Sequence, residues 1–88
     1  MSFVTVEFYG VPRHRAGVAE LRVKPGTVAD VLARVTQHCQ GLSTLINADG
    51  ELLSHYLLSV SGERFVTSMA EELPAGTRLL LLSADAGG

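Results

Sequence analysis

From Phe3 to Tyr9 the side chains alternate, with Val4, Val6 and Phe8 on one face and Thr5 and Glu7 on the other. That period of two predicts a half-buried strand. Gly10 to Gly17 reads as a loop bounded by glycines. Ala19, Leu21 and Val23 against Glu20, Arg22 and Lys24 then give a second alternation, so the pair predicts an antiparallel hairpin with one wet face. Pro25-Gly26 ends it. Thr27 with Asp30 three residues later is a capping-box start ahead of Val28, Val31, Leu32 and Val35, whose spacing marks one apolar helical face. The helix is expected from about Val28 to Cys39 or Gln40, with Gly41 as the residue beyond its C-terminal cap.

Leu42 to Ile46 is read as a short turn of helix, and Asn47-Ala48-Asp49-Gly50 as turn chemistry. A strand is expected over Tyr56–Val60, a turn at Ser61-Gly62-Glu63 and a brief strand over Arg64–Val66. The pattern from Thr67 to Leu73 decides nothing. Pro74-Ala75-Gly76 is a turn, and Arg78–Ser83 is the last strand, whose run Leu79 to Leu82 implies burial on both faces or a covered outer face. The order strand, strand, helix, strand, strand, strand predicts an α+β domain. A mixed sheet of four to five strands packs on one main helix, because each has a single apolar face to bury.

At 88 residues the chain is long enough for one modest core. The sequence divides into a domain over residues 1–83 and a tail over 84–88 that closes on Ala86-Gly87-Gly88. Glycine has no Cβ, so a diglycine end leaves the carboxyl carbon unshielded and free to take the backbone angles of a narrow channel. Chance alone gives such an end roughly once in two hundred chains at a glycine usage of about 7%. Fully extended, Ser83 to Gly88 reaches roughly 20 Å. The terminal carboxylate is therefore the expected reactive group.

Seven basic against nine acidic residues give a formal charge of −2 and supply no drive toward nucleic acid or an anionic membrane. The N-terminus lacks signal-peptide features and no apolar run approaches a membrane span, so a cytoplasmic protein is expected. The single Cys39 is expected to be a buried thiol rather than a nucleophile. His14, His38 and His55 are scattered, so no metal site is expected. Arg13, His14 and Arg15 form a small basic loop cluster, either solvated or paired with an acidic partner. Asp30 is read as a helix cap and Glu71-Glu72 as exposed loop charge.

Three passages carry a resemblance that spans essentially the whole chain: Lys24-Pro25-Gly26-Thr27-Val28-Ala29-Asp30-Val31-Leu32, Leu73-Pro74-Ala75-Gly76-Thr77, and the closing Ala86-Gly87-Gly88. Together with the strand-strand opening, they make the chain resemble the ubiquitin-like β-grasp sulfur carriers. These comprise the small subunit of molybdopterin synthase (MoaD), to which it is nearer, and the thiamine-pathway carrier (ThiS). Ser61-Gly62 and Gly76-Thr77 stand where the family often has Asn-Gly and Gly-Asp, and the tail lacks the prolines common in molybdopterin synthase subunits.

The resemblance implies a protein co-substrate with no cofactor of its own. A ubiquitin-activating-type adenylating enzyme would use ATP to activate the Gly88 carboxylate, with Gly87 beside it. The thiocarboxylate would go to an acceptor such as the large subunit of molybdopterin synthase. Phe3, Tyr9, Leu79, Leu81 and Ala86 are the candidate partner-contacting residues; the alternative is that the apolar ones fill the core or a contact between copies. A ubiquitin-like modifier joined to lysines through Gly88, a carrier for thiamine, cysteine or tRNA thiolation, and a plain interaction module are the other readings.

Overall fold

The computed structural model describes residues 2–84. Ten short elements follow one another: β1 (Val4–Phe8), α1 (Val11–Ala16), β2 (Glu20–Val23), β3 (Gly26–Thr27), α2 (Val28–His38), a 3-10 turn (Gln40–Leu42), β4 (Tyr56–Val60), β5 (Arg64–Phe65), β6 (Glu72–Leu73) and β7 (Arg78–Ser83). The main sheet has the order β2-β1-β7-β4-β5, and β3 pairs with β6 in a two-residue ladder of their own. The sheet is mixed as expected: β1 and β7 run parallel, while the β1–β2, β4–β7 and β4–β5 pairs are antiparallel.

Strand alternation builds the core. Val4, Val6 and Phe8 of β1, Tyr56 and Leu58 of β4, and Leu79 and Leu81 of β7 all point to one side and are buried. Val28, Val31, Leu32 and Val35 of α2 face them, and Leu42, Leu45 and Leu73 close the ends. α2 begins where the sequence predicts. Thr27 Oγ1 accepts from the Asp30 N–H and Asp30 Oδ2 accepts from the Thr27 N–H, each at 3.1 Å. These hydrogen bonds to Thr27, backbone first, hold the Asp30 carboxyl below its ordinary value of 3.8.

The far end of α2 departs from expectation. Its cap is Cys39 in extended conformation, and Gly41 lies inside the 3-10 turn instead of beyond a left-handed cap. The space around Gly41 explains why the residue is glycine, since a Cβ there would stand 2.1 Å from the backbone oxygen of Arg15. The 3-10 turn thus docks on the end of α1 by a backbone contact that only glycine permits. α1 is itself a correction, since Gly10–Gly17 was expected to be a loop. Its six residues bury only Pro12, so no amphipathic stripe announces them. Between β4 and β5, Ser61 (φ 57°) and Gly62 (φ 73°) both take left-handed backbone, the geometry that matches a hairpin turn to strand twist. Among the described residues, no helix is long and apolar enough to cross a membrane.

Gly41→Ala should destabilise the fold by about 1–3 kcal/mol, because the clash is with main chain that cannot swing aside; denaturant melts of the two proteins check it. A lowered folded-state pKa means that Asp30 contributes its stability above 3.8 and loses it as the pH falls through the lowered value. Thermal melts of wild type and Asp30→Asn should therefore converge as the pH is taken below that point.

Candidate functional site

β7 is the centre of the sheet and its last strand, so the last strand of the described residues ends in the middle of a five-stranded sheet. Its register settles which leucines face outward. Leu79 lies beside Val6 and Val60, and Leu81 beside Phe8 and Leu58. Neighbours across a ladder share a face, so both leucines point to α2 and both are fully buried. They are core residues, which corrects their expected place on a partner surface. The outward pair is Leu80 and Leu82. The polar Arg78 at the head of the strand carried that signal, because it fixes residues 78, 80 and 82 on the wet side.

The outer face joins these leucines to residues that the run alone did not single out. Leu82 is paired with Leu57, which is exposed. Leu80 lies beside Ser59, which in turn is paired with Phe65, at 60% the most exposed large apolar side chain among the described residues. Tyr9 follows β1 on the same face, with its N–H donating to the Leu81 oxygen at 3.1 Å and its hydroxyl to Glu7 Oε1. Leu57, Phe65, Leu80, Leu82 and Tyr9 therefore share the outer face of the sheet. Glu7 beside Leu80 makes an ion pair with Arg78.

Phe3 is also exposed, but at the other end of β1. Its carbonyl accepts from the Gly76 N–H at 2.8 Å, and its ring lines an open cavity of about 320 Å³ with Thr5, Arg22 and Gly76. The length of β1 separates it from Tyr9, roughly 20 Å at about 3.3 Å per residue. The two aromatics expected to act together thus sit at opposite ends of the sheet. At the β7 exit the last described contact is the Ala84 N–H donating to the His55 oxygen at 2.8 Å. Ala86, Gly87 and Gly88 lie outside the described residues.

The basic cluster Arg13, His14 and Arg15 lies on α1, which packs against β7 and so belongs to the exit end. Arg13 and His14 line an open concavity of about 550 Å³ with Val18, Ala19, Gly10 and Gly17. Cys39 is buried among apolar neighbours, and that burial pushes its thiol pKa up, away from the thiolate. Glu71 is not loose loop charge: Arg64 grips it, with one Nη1–Oε1 hydrogen bond of 3.1 Å, and holds its carboxyl below the usual range. Among the described residues, no three His, Cys, Asp or Glu side chains come together to hold a metal.

No protein-family model matches the chain, and no curated protein shows significant similarity to it. Solved structures do. The small archaeal modifier protein SAMP1 from Haloferax volcanii superposes with a TM-score of 0.82 at 27% identity, over 98% of this chain and 99% of that one. The chain has the ubiquitin-like β-grasp fold. A molybdopterin converting factor subunit 1 from Pyrococcus furiosus matches with a TM-score of 0.75 at 21% identity, covering 94% of this chain and 98% of that one. A chain of the Amycolatopsis orientalis BexX/CysO complex matches with a TM-score of 0.80 at 24% identity, covering 97% and 99%. The β-grasp agrees with the expected α+β architecture of a mixed sheet packed on one main helix.

The two faces of β7 predict a clean separation. Leu81→Ala should cost about 2–5 kcal/mol of stability as a core truncation. Leu82→Ala, on the outer face, should cost about 1 kcal/mol or less; urea melts of both variants would distinguish them.

Proposed function

We propose that this chain is a sulfur carrier whose Gly88 carboxyl is activated by a ubiquitin-activating-type adenylating enzyme. The observation that carries the reading is the exit of the central strand β7 from a surface of exposed apolar side chains, followed in sequence by Ala86-Gly87-Gly88. A carboxylate with a pKa of about 3.3 to 3.7 is an anion at neutral pH and resists nucleophiles. Its oxygen attacks the α-phosphorus of ATP, pyrophosphate leaves, and an acyl-adenylate forms. A sulfur donor of the persulfide class then attacks the carbonyl carbon and AMP leaves. Reductive cleavage of the resulting acyl disulfide by a thiol gives the thiocarboxylate.

The chain contributes position to these steps rather than an acid, base or nucleophile. Tyr9, Leu57, Phe65, Leu80 and Leu82 supply apolar area for docking, and Arg13 and Arg15 supply charge at the same end. The two arginines suit an acidic margin on the activating enzyme. The acceptor we favour is the large subunit of a molybdopterin synthase, with the converting-factor subunit among the similar structures as support.

One observation favours a second fate for the same activated end. The 27% identical structure is that of a modifier protein, and on that reading the amine of a target lysine displaces AMP to leave an isopeptide bond. The sulfur product and the lysine product share the adenylation step and part company after it.

Intact mass after incubation with an adenylating enzyme, ATP and a sulfur donor tests the proposal. A gain equal to replacing one oxygen by sulfur is expected in the full chain and is expected to vanish when Gly88 is deleted. An equal gain in the truncated chain would place the chemistry elsewhere, and a shift to higher-mass protein conjugates would favour the modifier.

A further inference from the structure

The β2 edge of the sheet is open and complementary to itself. β2 is the terminal strand and pairs only with β1. Along β1, Thr5 and Tyr9 donate toward the β7 side, to the Thr77 and Leu81 oxygens at 3.0 and 3.1 Å. Phe8 donates the other way, to the Ala19 oxygen at 2.9 Å. Backbone groups alternate in direction along a strand. Ala19, Leu21 and Val23 therefore turn theirs toward β1, while Val18, Glu20 and Arg22 turn theirs outward. Among the described residues, no backbone hydrogen bond outside the β1 ladder involves these last three. The open stretch ends at Lys24, whose oxygen accepts from Arg34 Nη1 at 3.1 Å.

The side chains of Glu20 and Arg22 stand on the outer face and are opposite in charge. Glu20 lies directly across from Glu7, a like-charge pair, and Arg22 across from Thr5. Neither Glu20 nor Arg22 has an ion-pair partner among the described residues. Charges of one sign along an edge repel a second strand. Opposite charges two residues apart attract a copy of themselves when the strands run antiparallel.

We propose that this edge pairs with β2 of a second copy of the chain, antiparallel about a two-fold axis through Leu21. In that register Glu20 of each copy lies opposite Arg22 of the other, and the outward backbone N–H and C=O groups of these residues meet as hydrogen-bonded pairs. Leu21 meets its counterpart on the inner face. An axis normal to the sheet keeps both α2 helices on one side and continues the sheet across the two copies. It also sends the two β7 strands out at opposite ends, so neither exit is covered. The contact is small beside the roughly 1,200 Å² of a stable complex, so the dissociation constant should lie in the range of about 0.1–1 mM.

Sedimentation equilibrium from micromolar to millimolar protein, with amide exchange followed by NMR, tests this on the intact chain. Dimer formation should slow exchange of the Glu20 and Arg22 amides as concentration rises. Glu20→Arg and Arg22→Glu should each weaken self-association by about tenfold or more, since each turns two attractive contacts into repulsive ones. An equimolar mixture of the two variants should recover it as a heterodimer, and the double exchange E20R/R22E should recover it as a homodimer. A wild type that stays monomeric at millimolar concentration with both amides unprotected would overturn the proposal. So would association that neither reversal weakens, or that the mixture fails to rescue.

Discussion

The fold depends on the parallel pairing of β1 with β7, which joins the beginning of the chain to its end. Thr5 meets Arg78 and Phe8 meets Leu81, so no local hairpin can form this ladder. Nearly the whole chain must be closed into a loop first, an entropic cost that non-local contacts offset only once the sheet is assembled. That offset is concentrated in β7. Leu79 and Leu81 are paired on the inner face with both β1 and β4, and the ion pair between Glu7 and Arg78 marks the same register on the wet side. A parallel pair also fixes direction. Because β1 runs on into α1, the end of β7 comes out beside α1 and Tyr9 and away from the turn at Gly76.

That arrangement gives the two faces of one strand different surroundings. The inner leucines are held in the core with α2, and the outer ones are left among Leu57, Phe65 and Tyr9. A period of two keeps the two sets apart, so side chains on the outside can vary without disturbing the core. The fold itself is shared by proteins of different roles, so the fold alone does not set the function.

The sequence was legible where one physical rule acted alone. Alternation in β1 and β2, the Thr27–Asp30 box and the turn residues around Arg78–Ser83 placed those elements almost to the residue. It was misleading where two arrangements satisfied the same pattern. Four consecutive leucines taken by themselves fit either parity, and the one local mark of the wet side is the polar Arg78 ahead of them. α1 was hidden because a six-residue helix that buries only Pro12 has no stripe to read, and its flanking glycines look like loop punctuation. Gly41 was assigned the common role of a helix-end glycine, whereas its reason is the main chain of Arg15, a contact between segments that no local pattern encodes. β3 and β6, at two residues each, are too short for any period.

The two edges of the sheet are not equivalent, and the difference follows from how each strand is made. β5 has two residues and hangs from a tight turn at Ser61-Gly62, so it presents little ladder to a newcomer. β2 is longer, has no proline within it, and places Glu20 and Arg22 on the wet side. An edge guarded only by charges of both signs is closed to most strands and open to one that reads the same sequence in reverse. The exit of β7 lies two strands inward from that edge. In the proposed pairing, each surface can therefore be occupied without covering the other.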